Sequence, residues 1–187
     1  MTLRNLYIQW LCKTGRAVDI WSNGGYPGEA LSNLCSNDFV YDGVHCNSME
    51  GFLQSLKYDE RAKQLQICQM KGRNAKKASK ESWKPDQGVF WNDKVIDRHS
   101  EAFQALVMGA YKAMFDQNER FHDALMMTRG KRLYHTRGKR NPFETILTEQ
   151  ELCGILTAIR DGADQAKFGE GVLNQCSRRN CPFRKWC

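Results

Sequence analysis

Apolar residues recur at the three- and four-residue spacing of a helix in several stretches of this chain. Leu3, Leu6, Tyr7, Trp10 and Leu11 predict a first helix ending near Gly15. Met49, Phe52, Leu53 and Leu56 predict another, opened by Asn47 or Ser48. A further helix is expected over residues 59–71, with Ala62, Leu65, Ile67 and Cys68 partly buried and Gly72 as its stop. Phe103, Leu106, Val107, Ala110, Tyr111, Met114 and Phe115 form the longest stripe, and Phe121, Ala124, Leu125 and Met126 resume it after a break at residues 116–118. Thr148 is placed to cap a last helix, with Glu151 reaching back and a core face of Leu152, Ile155, Leu156 and Ile159; Asp161-Gly162 is its expected end.

Alternation is rarer. Val18 to Trp21 reads as a short strand, and Phe39-Val40-Tyr41 and Val44-His45-Cys46 flank Asp42-Gly43 as a hairpin, since tight two-residue turns favour Asp-Gly. Pro85-Asp86-Gln87-Gly88 reads as a turn leading to Phe90-Trp91. The pattern predicts an α+β, mainly helical fold: one compact domain over residues 1–168 with a few short strands, then a basic, Cys-containing tail over 169–187. A chain of 187 residues is long enough for one domain that buries about two-thirds of its unfolded surface.

Candidate chemistry sits on the polar side of the second helix. Glu50, Gln54 and Lys57 follow one another at i, i+4 and i+7, so a continuous helix would align an acid, an amide and an amine. The same row also reads as a solvated face with one weak pair. Charge adds a direction: the net charge is +7, which favours anionic partners, either phosphorylated small molecules or nucleic acid. Lys71, Arg73, Lys76, Lys77, Lys80 and Lys84 form a basic stretch, and Thr128-Arg129-Gly130-Lys131-Arg132 recurs as Thr136-Arg137-Gly138-Lys139-Arg140. Two such short copies make a basic loop pair, not a stacked repeat.

Other classes recede. No apolar run approaches the ~18 residues of a membrane span, and Met1-Thr2-Leu3-Arg4-Asn5 shows no secretory signal, so a cytoplasmic protein without membrane partners is expected. Cys12, Cys35, Cys46, Cys68 and Cys153 read as buried thiols in a reducing compartment. Cys176, Cys181 and Cys187 resemble the closing cysteines of iron–sulfur DNA glycosylases, but a metal site there would need a fourth ligand such as Cys153 or His135. Free thiols on a basic tail are the preferred reading, with no metal and no cofactor.

The motif Ser48-x-Glu50-x-x-x-Gln54-x-x-Lys57, together with Leu31-Ser32-Asn33-Leu34 and Asp42-Gly43 upstream, resembles the NADAR family, the YbiA-like N-glycosidases. Gly72-Arg73 is similar to that family's Gly-Arg, and Trp91, or less closely Trp83, to its tryptophan. Residues 113–118 and 152–160 resemble its phenylalanine-centred helix end and its closing Leu-rich helix; the likeness covers residues 19–160. Two departures stand out: either Glu144 stands in for an acid the family carries before its last helix or nothing does, and His135 replaces another.

The resemblance implies a YbiA-like domain that hydrolyses N-glycosidic bonds. Substrates would be riboflavin-pathway phosphoribosyl intermediates or ADP-ribose attached to guanine bases of nucleic acid. Glu50 and Lys57 would be catalytic, Trp91 would stack on a base, and Arg73 with Asn33 or Ser22 would hold phosphate and hydroxyls. Ser48, Gln54, Gly72 and Glu144 complete the implied binding set. Such residues suit the reaction, because breaking a C1′–N bond builds positive charge on the sugar, which a carboxylate stabilises while activating water. A desolvated lysine can instead attack the sugar and form a Schiff base. The competing expectation, from charge alone, is a non-catalytic protein that binds DNA or RNA through its basic loops.

Overall fold

The computed structural model of the chain describes residues 2–79 and 88–168, with side chains to residue 163. In chain order the elements are α1 (Leu3–Lys13), β1 (Ala17–Asp19), β2 (Phe39–Tyr41), β3 (Val44–Cys46), α2 (Met49–Ser55), α3 (Arg61–Cys68) and α4 (Gly72–Ala78). Then come β4 (Val89–Trp91), β5 (Lys94–Ile96), α5 (Glu101–Gln117), α6 (Glu119–Met126), β6 (Arg132–Tyr134) and α7 (Glu149–Phe168). The expected turn residues 85–87, Trp83, Lys80, Lys84 and the tail with its three cysteines lie outside the described residues.

Helix α5 is the centre of the core. Ser100 caps it by accepting from the Phe103 N–H at 3.2 Å, and Phe103, Val107, Ala110, Tyr111 and Met114 are buried along one face. Asn118 ends α5 and caps α6 in turn, accepting from the Phe121 N–H at 3.0 Å. The inward faces of α2, α6 and α7 close on this stripe. The capping box expected at α7 is present, with Thr148 and Glu151 bonded reciprocally: Thr148 N–H to Oε2 at 2.8 Å and Glu151 N–H to Thr148 Oγ1 at 3.2 Å. The helix does not stop at Asp161-Gly162 but continues to Phe168. One glycine lowers helix propensity by only about 1 kcal/mol, too little to break a packed helix.

Strands are short and paired in twos. The hairpin of β2 and β3 turns at Asp42-Gly43 with both residues at positive φ, and β4 with β5 turns in the same way at Asn92-Asp93. β1 lies parallel to β6, Val18 opposite Leu133, a pairing between distant segments with no local signature. Cys46 and Cys68 are buried, while Cys12, Cys35 and Cys153 are half-buried; all five are free thiols. On α1 only Ile8 and Leu11 turn inward, leaving Leu3, Leu6, Tyr7 and Trp10 exposed. Among the described residues no helix is long and apolar enough to cross a membrane.

Gly72 does not end a helix; it opens α4, and its lack of a side chain is what lets α4 approach. A Cβ there would lie 2.6–2.8 Å from the backbone of Leu34. The basic stretch therefore begins as a short helix seated on the segment 33–35.

Candidate functional site

Ser48 fixes the start of α2. Its hydroxyl accepts from the Gly51 N–H at 3.1 Å and donates to the Met70 carbonyl at 3.2 Å, and it is fully buried. This is capping, which sets the helix where Glu50 emerges in the first turn. The Glu50 N–H is held by the Asn33 carbonyl at 2.9 Å. Its carboxylate accepts from Gln54 Nε2 at 3.0 Å, as the i, i+4 spacing predicts. Burial pushes the Glu50 carboxyl above its ordinary range, against the opposing pull of Lys76, the Gln54 hydrogen bond, Lys57 and His135. Burial and the charges of Lys76 and Lys57 thus act on this carboxyl in opposite senses.

Lys57 reaches this centre by a different route from the one its spacing suggests. α2 ends at Ser55, and Lys57 sits in the following turn, where its N–H meets the Gln54 carbonyl at 3.4 Å. The Phe90 N–H takes the Leu56 carbonyl at 2.9 Å and turns the chain away from the helix axis. Lys57 is half-buried, and its charge acts on Glu50. Asn33 ties the site to the core: its Oδ1 accepts from the Tyr111 hydroxyl at 2.6 Å. Tyr111 is fully buried, and that burial holds its phenol well above the ordinary value, with the Glu50 charge adding to the effect.

One residue further along the same segment, a cavity of about 150 Å³ opens between Ser22, Glu29, Leu34, Cys35, Arg73 and Arg120. Arg73 donates to Asn23 Oδ1 at 3.1 Å and Arg120 to Glu29 Oε1 at 2.8 Å. Ser22 and Arg73 thus share a pocket whose cations outnumber its acid, and Gly72 packs on Leu34 beneath it.

Two expected binding residues stand elsewhere. Trp91 is 3% exposed. Its Nε1 donates to Asp42 Oδ2 at 2.8 Å, its ring stacks on Tyr41 at 6.2 Å, Phe52 meets it edge-on at 4.9 Å, and Arg61 lies over it at 5.5 Å. It is a core residue and offers no face for a base. Glu144 is exposed in a loop where it accepts from Asn141 Nδ2 at 3.1 Å and faces Lys139 at 3.9 Å. A nearby acid that is buried is Glu149, the first residue of α7, which pairs with Arg4, lies 3.8 Å from Arg140 and accepts from the His135 N–H at 3.4 Å.

The Glu50 centre therefore joins Asn33, Gln54 and Lys57 to residues from distant segments. Lys76 of α4, Tyr111 of α5 and His135 after β6 all act on Glu50 or on its partner Asn33. Lys76 and His135 carried a charge or a departure visible in the sequence, whereas Tyr111 was indistinguishable from the rest of its apolar stripe. The two basic copies also separate in role. Arg160 is buried and donates to the Thr128 and Lys131 carbonyls at 2.9 and 3.0 Å, locking the first copy. In the second copy Arg137 lies over Trp21 at 4.5 Å. Among the described residues no group of His, Cys, Asp and Glu is placed to hold a metal ion.

A family model described as bacteriophage protein GP30.3 matches residues 25–161. An uncharacterised 17.1 kDa protein from the Gp30–rIII intergenic region of Enterobacteria phage T4 is 35% identical over 147 residues, covering 77% of this chain and 97% of that protein. The NMR structure of the E. coli protein YbiA superposes with a TM-score of 0.59 at 14% identity, over 85% of this chain and 91% of YbiA.

Proposed function

The chain belongs to the bacteriophage GP30.3 family and has the α+β, mainly helical fold of YbiA and the NADAR proteins, and from that premise we propose that it is an N-glycosidase hydrolysing the C1′–N bond of a phosphorylated ribosyl substrate. The observation that carries this reading is the adjacency of two complementary environments on one short segment. Asn33 holds Glu50 by its carbonyl, and the next residue, Leu34, lines the Arg73–Arg120 cavity. Consecutive Cα atoms are about 3.8 Å apart, so a ribose phosphate can place its anion among the guanidiniums while its anomeric carbon lies near Glu50. Arg73 and Arg120 suit a phosphate because guanidinium donors match its oxygens in pairs.

In this reading Glu50 stabilises the developing oxocarbenium charge and accepts the proton of the attacking water. Lys76 and Lys57 oppose part of the burial effect that raises the Glu50 carboxyl. Lys57 has a second possible use, attack on the sugar through a Schiff base, which borohydride would trap as a covalent adduct. ADP-ribose on a guanine base is the substrate that best accounts for the basic surface around the site. The test is release of free base by Glu50→Gln and Lys57→Ala, from ADP-ribosylated oligonucleotide and from phosphoribosyl intermediates. A fall of at least about 10²-fold in the Glu50 variant is expected; full release by both variants ends the proposal.

A purely nucleic-acid-binding protein is the second reading, favoured by Lys71, Arg73, Lys76 and Lys77, all exposed on or beside α4. Its mark is duplex affinity that falls steeply with salt, through counterion release. Lys76 and Arg73 argue for the enzyme, because one acts on Glu50 and the other lines the cavity.

A further inference from the structure

His135 follows β6 and is held by three contacts. Its Nδ1 meets the carbonyl oxygen of Ile20, its main-chain N–H donates to Glu149 Oε1 at 3.4 Å, and Gly138 turns back to donate its N–H to the His135 carbonyl at 2.8 Å. Gly138 also closes against the ring: a Cβ there would lie 2.4 Å from Cδ2, so only glycine leaves room for this orientation. Ile20 is fully buried, which fixes its carbonyl as a partner. A carbonyl oxygen only accepts, so Nδ1 carries a hydrogen whether the ring is neutral or charged. The proton that comes and goes is therefore on Nε2.

We propose that His135 is the acid of the hydrolysis assigned above, delivering its Nε2 proton to the nitrogen that leaves C1′. The inference rests on that reading of the site. The C1′–N bond breaks with its electron pair going to nitrogen, which takes the Nε2 proton. Water adds through oxygen to C1′ and gives a proton to Glu50, and the imidazole is recharged from Glu50 or solvent, so the sum is hydrolysis alone. The division of labour needs a proton donor distinct from Glu50 yet close to it, and His135 lies near enough for its charge to act on that carboxylate. Other charges around the imidazole are Glu149 of α7 at its main-chain N–H and Asp19 of β1, bound to Thr136 N–H and Oγ1 at 2.9 and 2.6 Å. Arg137 on the same loop turns to Trp21, while Lys57 and Lys76 act on the Glu50 side.

The test pairs two substrates that share one sugar: ADP-ribose attached to guanine in an oligonucleotide, and ADP-ribose carrying 4-nitrophenol at C1′, whose leaving group departs without protonation. His135→Asn keeps an amide donor where Nδ1–H stood but has nothing at Nε2; His135→Gln serves as the second variant. With guanine as leaving group, kcat is expected to fall by about 10²- to 10⁴-fold in both variants. With nitrophenol, both variants lose far less rate than they lose with guanine, while Glu50→Gln loses both reactions. If the His135 variants lose both substrates alike, or neither, the acid role is overturned and the glycosidase stands. If wild type turns over neither substrate, both proposals fall.

Discussion

Replacing Glu151 by Gln tests the most heavily bonded polar cluster of the described fold. The carboxylate accepts from Arg98 Nη1 at 2.9 Å, Arg98 Nη2 at 2.6 Å, Gln104 Nε2 at 2.9 Å, and both the N–H and hydroxyl of Thr148 at 2.8 Å. Arg98 is 2% exposed, and its guanidinium lies over the Phe103 ring at 4.4 Å. Arg98 Nε has no acceptor among the described residues, so nothing else there takes up the charge when Glu151 is neutral. Removing one partner of such a buried pair costs about 3–5 kcal/mol, because the surviving charge stays desolvated. For a domain of this size 1 kcal/mol moves Tm by roughly 2–4 °C, so a drop of about 6–20 °C is expected.

The pH dependence separates this account from a simple packing defect. Burial alone would raise the Glu151 carboxyl, but the hydrogen bonds from Arg98 and the Thr148 N–H, with the Arg98 charge and Gln104, hold it below its ordinary 4.5. An acid depressed in the folded state is protonated first in the unfolded chain, so its contribution is complete above 4.5 and is lost as pH falls through the lower folded value. Urea melts of wild type and Glu151→Gln should differ most near neutrality and converge in strong acid. The double variant Arg98→Met, Glu151→Leu should recover most of the loss, since an apolar pair leaves no charge behind. A neutral-pH difference under about 1 kcal/mol, the scale of an ordinary neutral hydrogen bond, would refute the reasoning.

Glu50→Gln should move stability the other way. An acid raised by burial makes the folded state hold its proton longer, so stability falls as pH rises from 4.5 through the higher folded value; thermal melts at neutral pH should show the amide variant equal to or above wild type while base release is lost. Gly72→Ala sets a helix-propensity gain of about 1 kcal/mol against overpacking of about 1–3 kcal/mol. The close approach is to Leu34 backbone, which cannot swing aside, so the clash should win, with a lower urea midpoint and a raised KM as Leu34 shifts in the cavity wall. Trp91→Phe should cost about 1 kcal/mol for the lost Asp42 bond and leave KM unchanged. A base stacked on Trp91 would instead weaken by about 1–3 kcal/mol on its removal, and a KM rise of that size would restore the stacking role.

What could be read from residues alone follows the range of the forces involved. The α5 stripe, the Thr148–Glu151 box, the Asp42-Gly43 turn and the Glu50–Gln54 pair are all local, and each is present. Lys57 lies past the end of α2, in a turn whose Leu56 carbonyl accepts from Phe90 of β4, a partner that spacing along the helix does not show. Gly72 could be read as a stop because positive φ and close packing call for the same residue, and only the Leu34 contact tells them apart. Trp91 had no visible reason to be buried until Asp42 supplied an acceptor for its indole and Tyr41 and Phe52 closed on the ring. Glu144 lies in the loop before α7 and Glu149 is its first residue; Glu149 is buried and paired with Arg4 from the first helix, a long-range contact with no local signature.

The proposed catalytic carboxyl is a group whose charged form burial disfavours. Glu50 would lie in water if α2 were an ordinary surface helix, yet the Asn33 carbonyl fixes its N–H and Tyr111 fixes Asn33. That chain of bonds runs from a fully buried phenol on α5 to the first turn of α2, so the position of the carboxylate is set by the core, not by its own solvation. Burial there raises the Glu50 carboxyl above its ordinary range. Lys76, Lys57 and His135 oppose that effect in part. Half-buried Lys57 and exposed Lys76 both act on the half-buried Glu50, a convergence on one acid that a surface built only to bind phosphates does not need.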